Sequence, residues 1–190
     1  ISKGSEEALV VSGRTAEFRD AIKTEVRNGT LRIWFEWRDG RNWTIGNNKQ
    51  LKAYVSYKML KALSASGGSD VYVDGVLEAE GLALAVSGGS DFVGKVDIDA
   101  LKIDASGGSD VTISGRAGEL SIDASGGSDV NGFELTAGAC EVDASGGSDV
   151  EVTVTGKLKA DASGGADVTY KGGADRVQIS KSGGGSVRRG

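Results

Sequence analysis

Ser106-Gly107-Gly108-Ser109-Asp110-Val111 is the stretch on which the fold turns, because it keeps returning along the chain. The same six residues stand at 66–71, 125–130 and 145–150. The copy at 87–92 differs only in Phe92, and the copy at 163–168 carries Ala166 for the second Ser. A worn seventh copy at 182–187 has Ser186 in place of the Asp. Successive copies start 21, 19, 19, 20, 18 and 19 residues apart. A period near twenty marks a solenoid, in which one coil cannot bury its apolar face and needs its neighbours.

Aligning the coils on the first Ser exposes the core. Three residues before it stand Leu63, Leu84, Ile103, Ile122, Val142, Ala160 and Ile179. Five before it stand Lys61, Leu82, Leu101, Leu120, Cys140, Leu158 and Val177, and five after it Val71, Phe92, Val111, Val130, Val150, Val168 and Val187. Period-2 alternation puts these columns on one face and Lys102, Asp104, Thr112, Ser121 and Glu151 on the other. Each repeat thus reads as two short strands, one on each side of the SGGSD corner. A second, looser turn such as Ser114-Gly115-Arg116-Ala117-Gly118 joins them. Coils about 4.8 Å apart would build a slab of about 30 Å, with two sheets facing at about 10 Å across small side chains.

Residues 1–62 do not repeat. Ala8 to Val11, Ile22 to Val26, Leu31 to Trp37 and Leu51 to Met59 read as strand segments, with Asn28-Gly29 as a tight hairpin turn. A stack needs a terminal unit over its first apolar face, and this segment is placed to be that cap. The expected organisation is therefore one domain, with a β cap at 1–62 continuous with repeats at 63–190.

Composition narrows function. The net charge of −5 hides 12 Lys/Arg against 7 Asp/Glu in residues 1–62, and 10 against 20 in residues 63–190. Such an acidic stack is a poor partner for nucleic acid. There is no His, which removes the usual general base and the commonest metal ligand. There is no Pro, and the single Cys140 excludes an internal disulfide framework. Its column makes Cys140 an apolar filler. No apolar run is long enough to span a membrane. A chain opening on Ile1, without Met or signal peptide, reads as a mature or trimmed piece.

The SGGSD repeat, with TEVRNGTLRIWFEWR before it and LKAYVSYKMLKALSASGGSDV leading into it, resembles the putative auto-transporter adhesin, head GIN domain family. The likeness runs from about Val10 to Val187. It implies a β-solenoid like the pectin-lyase-like helices, exported and acting in adhesion, as an oligomer in some members. It carries over no catalytic or ligand residue. The fold expected is an all-β, single-stranded β-helix of about 19–20 residues per rung, with two stacked sheets and a right-handed coil.

Two columns of acid compete for a chemical reading. Asp70, Asp91, Asp110, Asp129, Asp149 and Asp167 close the corners, and Asp104, Asp123, Asp143 and Asp161 precede them. Neighbours about 5 Å apart repel by about 0.8 kcal/mol even in bulk water. Turn capping by Asp and Ser is the structural answer. Calcium held by the six corner aspartates is the rival, since it favours arrays of carboxylate oxygens. The Gly pairs lack the Lys of a phosphate loop and serve the corner. Trp34, Trp37 and Trp43, with Arg38 and Arg41, form either a binding platform for sugar or protein or bulky cover for the stack end. The positions that break the repeat, Gly94, Gly132, Glu134 and Tyr170, form no recognisable catalytic set.

The functional expectation is a non-catalytic adhesin or scaffold without a resident cofactor. It would lie in the periplasm, on the outer membrane surface or outside the cell, and bind a glycan or protein surface or copies of itself. The alternatives are a carbohydrate-active enzyme of the lyase or hydrolase kind, or a glycan-binding module using the Trp-rich segment.

Overall fold

The computed structural model describes residues 1–36 and 50–190. They divide into two compact units, Gly4–Lys58 and Ile1–Lys3 with Met59–Gly190. The strand β1 (Ser2–Lys3) belongs to the second.

The smaller unit holds β2 (Ala8–Ser12), a helical turn α1 (Ala16–Asp20), β3 (Ile22–Arg27), β4 (Thr30–Phe35) and β5 (Lys52–Tyr57). β2 pairs antiparallel with β5, and β3 with β4. The hairpin between β3 and β4 turns on Asn28 (φ 51°) and Gly29 (φ 74°), the two left-handed residues that an Asn-Gly turn requires. Thr15 caps α1 by accepting from the Phe18 N–H at 3.3 Å. The strands lie where the sequence places them, but burial does not alternate along β3, where Val26 is 72% exposed. The five-residue helix carries no periodic signal and went unread.

The larger unit is the solenoid. It runs through β6 (Ala62–Ala65), β7 (Val71–Ser87), β8 (Asp91–Ser106), β9 (Asp110–Ala124), β10 (Asp129–Ala144), β11 (Asp149–Ala162), β12 (Asp167–Lys171), β13 (Arg176–Lys181) and β14 (Ser186–Arg189). Every neighbouring pair is parallel. Ile103 pairs with Ile122, Ile122 with Val142, and Val142 with Ala160. Phe92, Val111, Val130, Val150 and Val168 form a second unbroken column. These side chains are at most 1% exposed. Like therefore meets like along the axis, and each coil covers the apolar residues of the next.

The corners do not interrupt the ladder. Gly127 N–H donates to Gly107 O at 2.7 Å and Gly147 N–H to Gly126 O at 2.7 Å, so the turns hydrogen-bond coil to coil. The second turn expected at 114–118 is not a loop: Ser114 to Ala117 stay paired with Lys95 to Ile98. Gly115, at φ +109°, bends the strand there, and a Cβ on it would strike Val96 O. One coil is thus one bent strand of 14–17 residues in β7 to β11, not two short ones.

Candidate functional site

The corner places its polar groups on opposite sides. Alternation carries straight through the turn, so the second Ser points inward as Ile103, Ala105 and Val111 do. Ser90, Ser109, Ser128 and Ser148 are completely buried. Ser109 Oγ donates to Val86 O (3.1 Å) and Ser128 Oγ to Ala105 O (3.2 Å), each in the preceding coil, and Ser148 Oγ is shared between Ala124 O in the preceding coil (3.3 Å) and Ser145 O in its own (3.0 Å). Ser90 Oγ accepts from the N–H groups of Gly68 and Ser69 (3.2 and 2.9 Å). Capping thus falls to the serine, and among the described residues no corner aspartate side chain takes part in it. Turn chemistry assigns capping to Ser and Asp alike and does not tell the inward residue from the outward one. The serines' place on the period-2 grid, two residues before the buried Val, was the signal that could have found them.

The corner aspartates point outward. Asp91, Asp110, Asp129, Asp149 and Asp167 pair in register, one per coil. Partial burial, then Asp129 and Asp91, holds the Asp110 carboxyl above the usual range. Asp104, Asp123, Asp143 and Asp161 also stack in register. Here lysines are interleaved: Lys102 Nζ lies 3.0 Å from Asp104 and 3.3 Å from Asp123. Lys159 Nζ lies 2.6 Å from Glu141 and 3.5 Å from Asp161. The Asp143 carboxyl is still raised, by partial burial and then by Asp161. Among the described residues, no group of three or more Asp, Glu, His or Cys side chains is arranged to hold a metal ion.

The flank before the corner forms an open groove of about 870 Å³ along the axis, from Lys61 to Gln178. Lys61, Lys102, Lys157, Lys159 and Arg176 line it against Glu119 and Glu141. Lys157 and Arg176 are neighbours in register, two cations on adjacent coils. This cationic strip lies on a body whose residues 63–168 hold 5 Lys/Arg against 19 Asp/Glu. Lys102 and Lys159 stand four residues before the turn Ser, Lys157 and Arg176 six before it and Lys61 five before it, so the strip emerges only when the coils are superposed.

Trp34 stands in β4 opposite Lys23 and is 43% exposed. Trp37, Arg38, Arg41 and Trp43 lie outside the described residues. Cys140 is buried, and burial, then Glu141, pushes its thiol up to about 12. Gly94 and Glu134, two of the positions that break the repeat, border one cleft on the flank after the corner.

A family model described as "Putative auto-transporter adhesin, head GIN domain" matches residues 1–174. No curated protein matches the chain. Among solved structures, a putative adhesin from Bacteroides fragilis NCTC 9343 superposes with a TM-score of 0.87 at 21% identity, over 99% of this chain and 85% of that one. A putative adhesin from Parabacteroides distasonis ATCC 8503 reaches 0.74 at 22% identity, over 100% and 87%. A protein from the same organism described as a putative lipid binding protein reaches 0.73 at 20%, over 100% and 87%. At these identities the likeness is one of fold.

Proposed function

The chain belongs to the putative auto-transporter adhesin, head GIN domain family, and from that membership we propose an exported, non-catalytic surface protein that adheres through the flank of its stack. Its partner in this reading is an extended, negatively charged polymer laid along the axial groove. The observation that carries the proposal is the gathering of Lys61, Lys102, Lys157, Lys159 and Arg176 in one groove of an acidic solenoid. Exposed cations along one flank, with Lys157 and Arg176 on adjacent coils, favour a linear polyanion over a compact ligand. The non-catalytic reading is supported by carboxylates that recur in columns, whereas acid–base chemistry calls for a unique pair.

Surface-plasmon titration of the full chain over immobilised hyaluronate, with dextran as neutral control, tests this. The proposal expects a salt-sensitive component of retention on hyaluronate, absent on dextran and lost in Lys157→Ala with Arg176→Ala. Retention on hyaluronate that neither salt nor this double change weakens would refute it. Retention on vesicles containing phosphatidylglycerol, and not on hyaluronate, would move the partner to an anionic lipid surface. The proposal includes no resident cofactor, and a calcium-dependent rise in melting temperature of several degrees would contradict that part.

Trp34 supports a second reading, because an indole 43% exposed on a strand is available to a sugar or protein partner. Loss of binding in Trp34→Ala, with the groove variant intact, would favour it. For residues 1–62 the proposal is the cap drawn from the sequence. A chain lacking residues 4–58 that melts and sediments like the parent would rule it out.

A further inference from the structure

We infer that the flank following the SGGSD corner carries a saccharide site, a cleft between two bulged coils that receives the apolar face of a neutral sugar ring. Its origin is visible in the repeat lengths. The coils starting at Ser66 and Ser125 run 21 and 20 residues, while the two between them run 19 each. The surplus residues are spent on the flank after the corner. β7 takes four steps from Tyr72 to Val76 where β8 takes two from Val93 to Lys95. β10 takes three steps from Asn131 to Glu134 where β9 takes two from Thr112 to Ser114. β8 and β9 stay in register with each other through this region. Two level coils therefore form a floor, and a bulged coil rises on each side of it.

Both walls are held in place. The Ile1 ammonium donates to Tyr72 O at 2.6 Å and Asp74 N–H to Ile1 O at 2.8 Å, so β1 backs the β7 bulge. Thr153 Oγ1 donates to Phe133 O at 2.8 Å, and Lys171 Nζ sits 3.7 Å from the Phe133 ring centroid. Beneath the floor, the Phe92 ring and Val73 fill the space a Gly94 side chain would need, with carbons 2.8 Å from its Cβ position, so bare backbone there accommodates the buried Phe92.

The cleft measures about 550 Å³, within the range of small-ligand sites of about 300–1,000 Å³. Tyr72 and Phe133 supply aromatic surface and Val93 an apolar floor, with Tyr72 61% and Val93 41% exposed. Asn131, Glu134 and Thr112 bring amide, carboxylate and hydroxyl groups to the same opening. Aromatic carbon beside polar rim groups matches a sugar ring, with C–H groups on one face and hydroxyls at its edge. Lys95 opposes Glu134 and Glu151, which leaves no cationic excess for an acidic sugar. The inference is independent of the groove, since the two share no lining residue.

The test is a printed array of neutral cello-, manno- and chito-oligosaccharides probed with the full chain. At least one series is expected to be retained. Tyr72→Ala and Thr112→Trp, which fills the cleft from its floor, should each weaken retention about tenfold, the loss of one stacked ring. Lys157→Ala with Arg176→Ala should leave it unchanged. Both cleft positions are exposed, and Glu134→Ala replaces either variant that fails to melt like the parent. Retention of no neutral series, or retention that survives either cleft change, overturns the inference.

Discussion

Ser109 Oγ donates a hydrogen bond to Val86 O, 3.1 Å away in the preceding coil, from a site with no solvent exposure. In the next coils the same carbonyl also serves the ladder: Ala105 O accepts from Ser125 N–H at 2.9 Å and from Ser128 Oγ at 3.2 Å. The hydroxyl therefore adds a second bond to a satisfied acceptor, and its removal leaves no carbonyl unpaired. Ser109→Ala is expected to cost about 1 kcal/mol in urea unfolding. The chain contains this change at Ala166, where Ser163 Oγ takes over Ala144 O at 3.4 Å. Ser109→Leu should prevent the coils from closing, because a completely buried corner has no room for the added volume. Tolerance of Leu at this position would contradict the assignment.

Two adjacent glycines should respond differently. Gly126 has φ +77°, and a Cβ there would lie 2.9 Å from Gly107 O in the coil below. Gly127 lies outside the left-handed region, and its Cβ would find Gly107 O at 3.7 Å. Gly126→Ala is expected to cost about 1–3 kcal/mol, and Gly127→Ala to fall within about 0.5 kcal/mol of the parent. Equal melting of the two variants would show that corner stacking does not constrain the chain.

The in-register corner aspartates make acid a stabiliser. Burial and its neighbours raise Asp110, so the folded chain binds that proton more tightly than the unfolded chain does. Stability is then lower above the raised value and recovers as pH falls toward the ordinary 3.8. Asp143 works in the same direction. The melting temperature at about pH 5 should match or exceed that at pH 7, and added salt at pH 7 should raise it by screening. Asp110→Asn should melt above the parent at low salt. A steady fall in melting temperature from pH 7 to 5 would mean that the ladder is held by unseen positive charge.

Cys140 should be silent in the folded state. Its thiol is buried and pushed up to about 12, so almost no thiolate is present near neutrality. Ellman's reagent at about pH 8 should find no thiol until urea is added, and then one per chain. Immediate labelling of the native protein would place Cys140 outside the core.

The columns of Ile103, Ile122 and Val142 were legible because corner glycines set a register that alternation then propagates in both directions. The same grid held the buried serines, which turn chemistry alone does not distinguish from the aspartates beside them. Ser114 to Gly118 looked like a loop because Gly115 and Gly118 are turn residues elsewhere. In this chain Gly115 stacks on the coil below and bends a strand that stays paired. The cleft was present in the offsets of 21 and 20, but an insertion in one strand acquires meaning only beside its level neighbours. The groove cations needed the coils superposed before Lys157 and Arg176 became adjacent. Trp34 was identified as a candidate from its type, and its neighbours Trp37 and Trp43 lie outside the described residues.

Methyl-to-methyl NOE spectroscopy on the full chain, labelled at Ile, Leu and Val, tests the stacking of coils most directly. The structure predicts strong cross-peaks between Ile103 and Ile122 and between Ile122 and Val142. It predicts at most a weak one between Ile103 and Val142, two coils or about 10 Å apart. An Ile122 methyl that contacts neither Ile103 nor Val142 would contradict the solenoid.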